Sequence, residues 1–136
     1  MTVQVLDASA VFAYLENEPG AEQVRVAVSH GVALSTVNLA EVLSTAASRG
    51  AELAELAAQF TEGGLFEPAI RIEPFTVADA VEAARLRPLT RGAGLSLGDR
   101  ACLALARRLK ARVLTADRAW ANVNVDVERT QIRLSP

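Results

Sequence analysis

Short runs rich in β-branched residues alternate along the chain with longer stretches whose apolar residues recur at helical spacing. Four of these runs are predicted strands: "VQVLD" (3–7), "VALST" (32–36), "AIRIEPF" (69–75) and "ARVLT" (111–115). Strands that alternate with helices imply right-handed crossovers and a largely parallel sheet sandwiched by helices. In such sheets the functional residues gather at the carboxyl ends of the strands.

The helical stretches are bounded by residues that stop or start helices. Pro19 and Gly20 separate the first two, and Thr76 is a good N-cap. Pro88, Gly92 and Gly94 predict a loop. The predicted helices are "ASAVFAYLE" (8–16), 21–29, "NLAEVLSTAAS" (38–48), "AELAELAAQFTEG" (51–63), "VADAVEAARLR" (77–87) and 97–109, then a short turn or helix at "DRAWAN" (117–122) and an extended end, "VNVDVERTQIRL" (123–134).

The length of 136 residues suits one domain, 1–136, without repeats or linkers. Apolar residues make up 51% of the chain but form no run long enough to span a membrane. "MTVQVLDAS" lacks the features of a secretory signal, so we expect a cytoplasmic protein.

Cysteine and histidine occur once each, as Cys102 and His30. A disulfide framework and a zinc site built on these residue types are therefore excluded. Between Arg85 and Arg118 there are nine basic residues against two acidic ones, whereas residues 1–84 carry three against twelve. The basic stretch is a modest indication of phosphate binding, and a solvated helix face explains it equally well.

Four acidic residues lie at strand-to-helix junctions or in the first turns beyond them: Asp7, Glu41, Asp99 and Asp117. Parallel topology would bring all four to one edge of the sheet. Each also has a local explanation, because Asp7 and Asp117 could cap the following turns, and Asn38 with Glu41 and Ser96 with Asp99 have the spacing of a capping box.

Carboxylates gathered at one edge would repel one another unless a cation lay among them. An all-oxygen donor set without histidine or cysteine favours Mg²⁺ or Mn²⁺ over zinc, and such a site suits metal-assisted phosphodiester hydrolysis. The chain has no GxxxxGK[ST] loop and no GxGxxG after a strand, which argues against an NTPase or a dinucleotide site. A receiver-type signalling domain would need a lysine near the acids, and the only lysine is Lys110.

Four segments in order, "VLDASA", "STVNLAEVL", "LSLGDRACLALA" and "VLTADRAWA", closely resemble the PIN domain and its VapC-type toxin branch. The resemblance covers nearly the whole chain and implies a three-layer αβα fold with a mostly parallel sheet of four to five strands. It implies a Mg²⁺- or Mn²⁺-dependent endoribonuclease that is the toxin of a type II toxin–antitoxin pair.

The resemblance also assigns roles to individual residues. Asp7 and Asp99 would be the principal metal ligands, with Glu41 and Asp117 completing the site directly or through water. The positions expected to orient the acids or to bind substrate are Ser9, Asn38 and Thr115, with Arg100 and Arg118 within reach of a phosphate or engaged in surface ion pairs.

The implied partners are an RNA substrate, a small antitoxin that covers the acidic cleft, and a second copy of the chain bound through the helices between Leu39 and Phe60. Two alternatives stay open: a PIN nuclease for RNA processing without an antitoxin, and a non-catalytic PIN-like module that binds RNA or protein. We expect Trp120 to pack over the sheet edge. We also expect Asp99 to face Asp7 across a cation-sized gap and not to fold back on Ser96.

Overall fold

The computed structural model describes residues 3–61 and 70–132. Its centre is a sheet of five parallel strands in the order β3-β2-β1-β4-β5, which confirms the predicted α/β architecture. The strands are β1 (Gln4–Leu6), β2 (Val32–Ser35), β3 (Ile70–Glu73), β4 (Arg112–Thr115) and β5 (Arg129–Gln131).

Six α-helices and two 3-10 turns connect the strands within the described ranges. They are α1 (Ala8–Leu15), α2 (Ala21–His30), α3 (Thr36–Ser48), α4 (Leu53–Thr61), α5 (Val77–Thr90) and α6 (Leu97–Leu109), with 3-10 turns at Arg91–Ala93 and Arg118–Asn122. The parts of the predicted elements that fall at 62–69 and 133–134 lie outside the described residues. None of the helices described is long and apolar enough to cross a bilayer.

Alternating side chains of the central strands build two cores, one on each face of the sheet. On β1, Leu6 packs into one apolar cluster with α1 and α2, while Val5 packs into the other with α6. On β4, Leu114 packs into the same cluster as Leu6, and Val113 packs into the same cluster as Val5. Because both faces of the central strands are covered, their interior positions are apolar, and the carboxyl-terminal edge is left for polar residues.

Among the helix boundaries that differ from the prediction, two have a clear physical reason. Helix α5 continues through Pro88 to Thr90, because a proline in the last turn removes only its own N–H bond, to the carbonyl of the exposed Ala84. Helix α3 begins at Thr36, where the Ser35 side chain accepts from the Val37 N–H at 3.2 Å. Asn38 therefore lies inside the helix, and the capping box that the spacing of Asn38 and Glu41 allows does not form.

Helices α5 and α6 are joined by an ion pair between the buried Asp79 and the partly exposed Arg108. Asp79, 3% exposed, accepts from Arg108 Nε at 2.9 Å and from its Nη2 at 3.1 Å. Asp79 also forms a capping box with Thr76 at the start of α5. Although its burial opposes ionisation, the bonds from Arg108 and Thr76 hold the pKa of the Asp79 carboxyl below its ordinary value.

We expect Arg108→Met to lower the free energy of unfolding at pH 7 by about 1–2 kcal/mol, because it leaves a buried carboxylate without its partner. A lowered folded pKa gives stability that is present above the unfolded pKa and lost as the pH falls, so the deficit should shrink below about pH 4. Urea unfolding at pH 7 and pH 3 measures the loss of unfolding free energy and its decrease at low pH. Arg112→Met, which breaks an exposed pair with Glu128, is the control and should cost under about 0.5 kcal/mol.

Candidate active site

The carboxyl ends of β2, β1 and β4 lie side by side and bring the predicted site residues to one edge. Asp7 follows β1, Thr115 ends β4, and α3 starts directly after β2. Helix α6 packs against α3, β1, β2 and β4, and its first turn carries Asp99. Tertiary contact between α3 and α6 is what brings Glu41 and Asp99 into the same region.

Asp7 is the buried centre of this edge, with 2% of its surface exposed. Its Oδ1 accepts from the Ser9 hydroxyl at 2.7 Å and from the Ala10 N–H at 2.8 Å. Its Oδ2 accepts from the Thr115 hydroxyl at 2.5 Å. Asp7 thus caps α1, as its local sequence indicates, and is also tied to the end of β4.

The two hydroxyls that hold Asp7 are themselves oriented by the chain after β4. Ser9 Oγ accepts from the Ala116 N–H at 2.9 Å, and Thr115 Oγ1 accepts from the Asp117 N–H at 3.0 Å. Each hydroxyl therefore accepts from backbone and donates to the carboxylate. Ser9 and Thr115 contact the acid that they are predicted to orient.

Asn38 links Glu41 to the start of α6. Its Nδ2 donates to Glu41 Oε1 at 2.8 Å and to the Gly98 carbonyl at 3.0 Å. Its Oδ1 is buried without a hydrogen-bond partner among the described residues. The amide is therefore fixed by two acceptors that belong to different helices.

Asp99 does fold back on Ser96, and our expectation to the contrary is wrong. Asp99 Oδ2 accepts from the Ser96 N–H at 2.9 Å, while the Asp99 N–H donates to Ser96 Oγ at 3.2 Å. This capping box forms because the first turn of α6 has N–H groups without helical partners. Only Oδ2 is used in the cap.

Trp120 lies beneath the same turn. It is 1% exposed and packs in the apolar cluster that contains Leu95 and Leu103, which confirms its predicted packing role. Its indole Nε1 is buried and makes no hydrogen bond of normal geometry with any described residue. Burial raises the pKa of the nearby Asp99 carboxyl, and the indole N–H is one of the groups that oppose this rise.

Three of the four acids have raised pKa values. Burial raises the pKa of Asp7 to about 6 against the opposing effect of its hydrogen bonds, and the Asp99 charge adds to the rise. Burial and then Asp99 raise the pKa of Glu41, while burial and then Asp117 raise the pKa of Asp99. The charge of Asp99 thus acts on Asp7 and Glu41, and that of Asp117 acts on Asp99.

The donor chemistry of this edge fits a hard divalent cation. The available ligands are carboxylate, hydroxyl and amide oxygens, which Mg²⁺ and Mn²⁺ prefer. Repulsion among the acids and the unpartnered Oδ1 of Asn38 would both be relieved by a cation. Within residues 3–61 and 70–132, however, no three acidic, histidine or cysteine side chains lie close enough together to hold a metal as they stand.

The two arginines predicted near the substrate behave differently. Arg100 Nη1 donates to the Ala83 carbonyl of α5 at 2.8 Å, which ties the guanidinium to the neighbouring helix. Arg118 is exposed and lies between a cavity of about 360 Å³ and a second one of about 480 Å³, both bordered by Asp117. Arg118 is therefore the one of the two placed beside open space at the acidic edge.

Gly98 is a residue of the site that our sequence interpretation missed. A Cβ built on it would lie closer than 3.0 Å to three atoms of the Glu41 carboxylate, Cδ, Oε1 and Oε2. The signal was a glycine in the first turn of a helix otherwise made of good helix formers. Without the packing of α3 against α6, that glycine has no evident partner.

A model of the PIN domain family matches residues 5–126. The chain therefore belongs to the PIN domain family, as the four sequence segments predicted. No curated protein sequence matches it.

Several solved structures share its fold at low sequence identity. FitAcB from Neisseria gonorrhoeae has a TM-score of 0.71 at 21% identity, covering 96% of this chain and 98% of that one. DNA-bound VapBC from Salmonella typhimurium has a TM-score of 0.72 at 17% identity, covering 97% and 99%. VapC20 from Mycobacterium tuberculosis, a toxin that cleaves the sarcin-ricin loop, has a TM-score of 0.69 at 18% identity, covering 92% and 98%.

Proposed function

We propose that this protein is a Mg²⁺- or Mn²⁺-dependent endoribonuclease and the toxin of a VapBC-type toxin–antitoxin pair. The observation that carries the proposal is the meeting of Asp7, Glu41 and Asp99 at one sheet edge, each with a raised pKa and each affected by another acid. Membership of the PIN domain family supports a nuclease. The solved VapBC and FitAB structures support an antitoxin partner.

Asp7 and Asp99 would be the main metal ligands, with Glu41 and Asp117 completing the site directly or through water. A bound ion would supply charge neutralisation at the scissile phosphate and a lower pKa for the attacking water. Asp99 has Oδ1 outside its cap, and Asp7 is held rigidly by Ser9 and Thr115. Asp7 would provide a fixed ligand, and the other acids would have to move toward it, since no three acids in the described ranges lie close enough together to hold a metal as they stand.

The reaction itself is a hydrolysis at phosphorus. The water oxygen forms a bond to phosphorus, the bond from phosphorus to the 3′-oxygen breaks, and that oxygen takes up a proton. Glu41 or Asp117 accepts the proton of the attacking water. The products carry a 5′-phosphate and a 3′-hydroxyl. Arg118, exposed at the acidic edge, would bind a flanking phosphate.

The proposal includes two protein partners and a compartment. An antitoxin segment with a basic side chain would cover the acidic edge, where it would meet uncompensated carboxylates. A second copy would bind through the helices between Leu39 and Phe60, where Leu53 is 46% exposed. The cytoplasm is the proposed site of action because the RNA substrate is found there.

Incubating the purified chain with mixed cellular RNA tests the proposed function. We expect cleavage with 5 mM Mg²⁺ or Mn²⁺ and none with excess EDTA, and sequencing of the new 5′ ends should return ligatable 5′-phosphates at a restricted set of sites. Cleavage that survives EDTA, or ends that carry 5′-hydroxyl groups, would refute the metal-dependent mechanism. Metal-independent RNA binding without cleavage would favour the non-catalytic module.

Co-expression tests the toxin assignment separately. Induction of the chain alone should arrest growth, and co-expression with a small reading frame encoded immediately upstream of it should restore growth. A chain that cleaves RNA yet leaves growth unaffected would instead be an RNA-processing PIN nuclease without an antitoxin.

A further inference from the structure

Gly98 is not required by its own backbone. It is the second residue of α6, and it is not among the described glycines with left-handed φ, which are Gly20, Gly31, Gly50 and Gly94. Glycine is also the poorest helix former after proline. Alanine at this position would therefore stabilise the isolated helix α6 more than glycine does.

The space beside Gly98 is occupied by the carboxylate of Glu41. The three atoms nearest to a Cβ built on Gly98 are all in that group, and each would lie well inside the closest approach that real Cβ atoms make. The carboxylate thus lies directly over the Gly98 backbone. The positive end of the α6 dipole is at this turn, so a negative group is favoured there.

Asn38 prevents Glu41 from simply turning away. Its Nδ2 bonds both the Glu41 carboxylate and the Gly98 carbonyl, and the side chain is 1% exposed. A Cβ on residue 98 would have to break this bridge or separate α6 from α3. Both changes move Glu41 relative to Asp99.

We propose that Gly98 is a positioning residue of this enzyme: the missing side chain seats the Glu41 carboxylate against the first turn of α6, beside Asp99. The inference rests on the proposed function, because the proposed function gives Glu41 its role in the reaction. Gly98 acts only through Glu41 and touches neither substrate nor metal. The position of the Glu41 carboxylate and the rate of the reaction must therefore be measured separately.

A thermal-stability cycle tests the seating without any assay of activity. In the metal-free protein, Gly98→Ala should lower Tm by several degrees, because the new Cβ meets the Glu41 carboxylate. In a Glu41→Ala background the same change should raise Tm or leave it unaltered, because the space is empty and alanine favours the helix. An equal loss of Tm in both backgrounds would overturn the proposal.

A kinetic cycle tests the consequence for the reaction. Gly98→Ala should lower kcat at least about tenfold, with KM for RNA changed less than about twofold. Glu41→Asp withdraws the carboxylate by one methylene, and in that background Gly98→Ala should cost less than about threefold in kcat. A positioning role predicts this relief, whereas a general loss of fold does not.

Gly92→Ala is the matched control, because a Cβ there meets nothing within 4 Å and its φ is not left-handed. It should keep the wild-type Tm and kcat. Wild-type kcat in Gly98→Ala would overturn the proposal. If the wild-type chain cleaves no RNA, the reaction role falls with the proposed function, while reversal of the Tm effect would still establish the seating of Glu41.

Discussion

We expect Asp7→Asn to lose at least about 10³-fold in RNA cleavage while unfolding at a higher temperature than the wild type at neutral pH. The two effects have one cause. Asp7 is a buried carboxylate at the centre of the acidic edge, and the position that makes it useful to a cation makes its charge costly to the fold. Asparagine removes the charge and keeps nearly the same shape.

The hydrogen bonds of Asp7 indicate that asparagine can be accommodated. An amide oxygen can still accept from Ser9 and from the Ala10 N–H, which cap α1. An amide Nδ2 on the other side would donate to Thr115 Oγ1 and reverse the direction of that bond. The loss of activity can therefore be read separately from folding.

The sign of the pH dependence follows from the raised pKa. A carboxyl whose pKa rises from 3.8 in the unfolded chain to about 6 in the fold costs the folded state about 3 kcal/mol once ionised. Stability is therefore highest below about pH 4 with respect to this group and falls as the pH rises to about 6. The free energy of unfolding of Asp7→Asn should exceed that of the wild type increasingly from about pH 4 to about pH 6, and the difference should stay constant at higher pH.

Urea or thermal unfolding of metal-free protein between pH 4 and pH 8 measures this difference. Asp126→Asn changes the net charge equally at an exposed position and should alter neither cleavage nor Tm. A destabilised Asp7→Asn variant at all pH values would show that Asp7 serves mainly as the cap of α1. An active one would remove Asp7 from the mechanism.

The second large effect is stabilisation by the metal. A ligand that binds only the folded state adds about 1.4 kcal/mol at ten times its dissociation constant, which in a chain of this size raises Tm by roughly 4–6 °C. We expect this response to Mn²⁺ and Mg²⁺ at pH 7.5. At pH 5 it should be much smaller, because Asp7 is then largely protonated and must lose that proton to bind.

Differential scanning fluorimetry with MgCl₂ or MnCl₂ against NaCl of equal ionic strength measures the shift. The Asp7→Asn variant should show almost none of it. Absence of any shift in the wild type at millimolar concentrations of both metals would contradict an oxygen-ligand metal site. The same titration gives the affinity that the cleavage assays need.

Sequence patterns alone were sufficient for the fold class and for membership of the PIN domain family. Continuous apolar runs such as that of β2 identify strands buried on both faces, and capping residues such as Thr76 mark where helices begin. These are local properties, since they depend on a few neighbouring side chains and on whether they meet water. The end of α5 was misjudged because Pro88 costs little in a last turn.

The sequence could also select the four acids as candidates, since each lies at a strand-to-helix junction or in the first turns beyond it. Their mutual arrangement could not be predicted from the sequence. Local sequence is compatible with Asp99 capping α6 and with Asp99 turning toward Asp7, and the structure has the cap. Asn38 had the spacing of a capping box, but Ser35 caps α3 and the amide instead bridges two helices.

The sequence by itself determined which residue types stand at the ends of which strands, because strand and helix propensities are read from consecutive residues. Only the tertiary structure decided which of them touch. The approach of α6 to α3 places Glu41 over Gly98, and the adjacency of β1 and β4 places Thr115 on Asp7. Such contacts join residues far apart in the chain, and their geometry is set by the packing of whole elements.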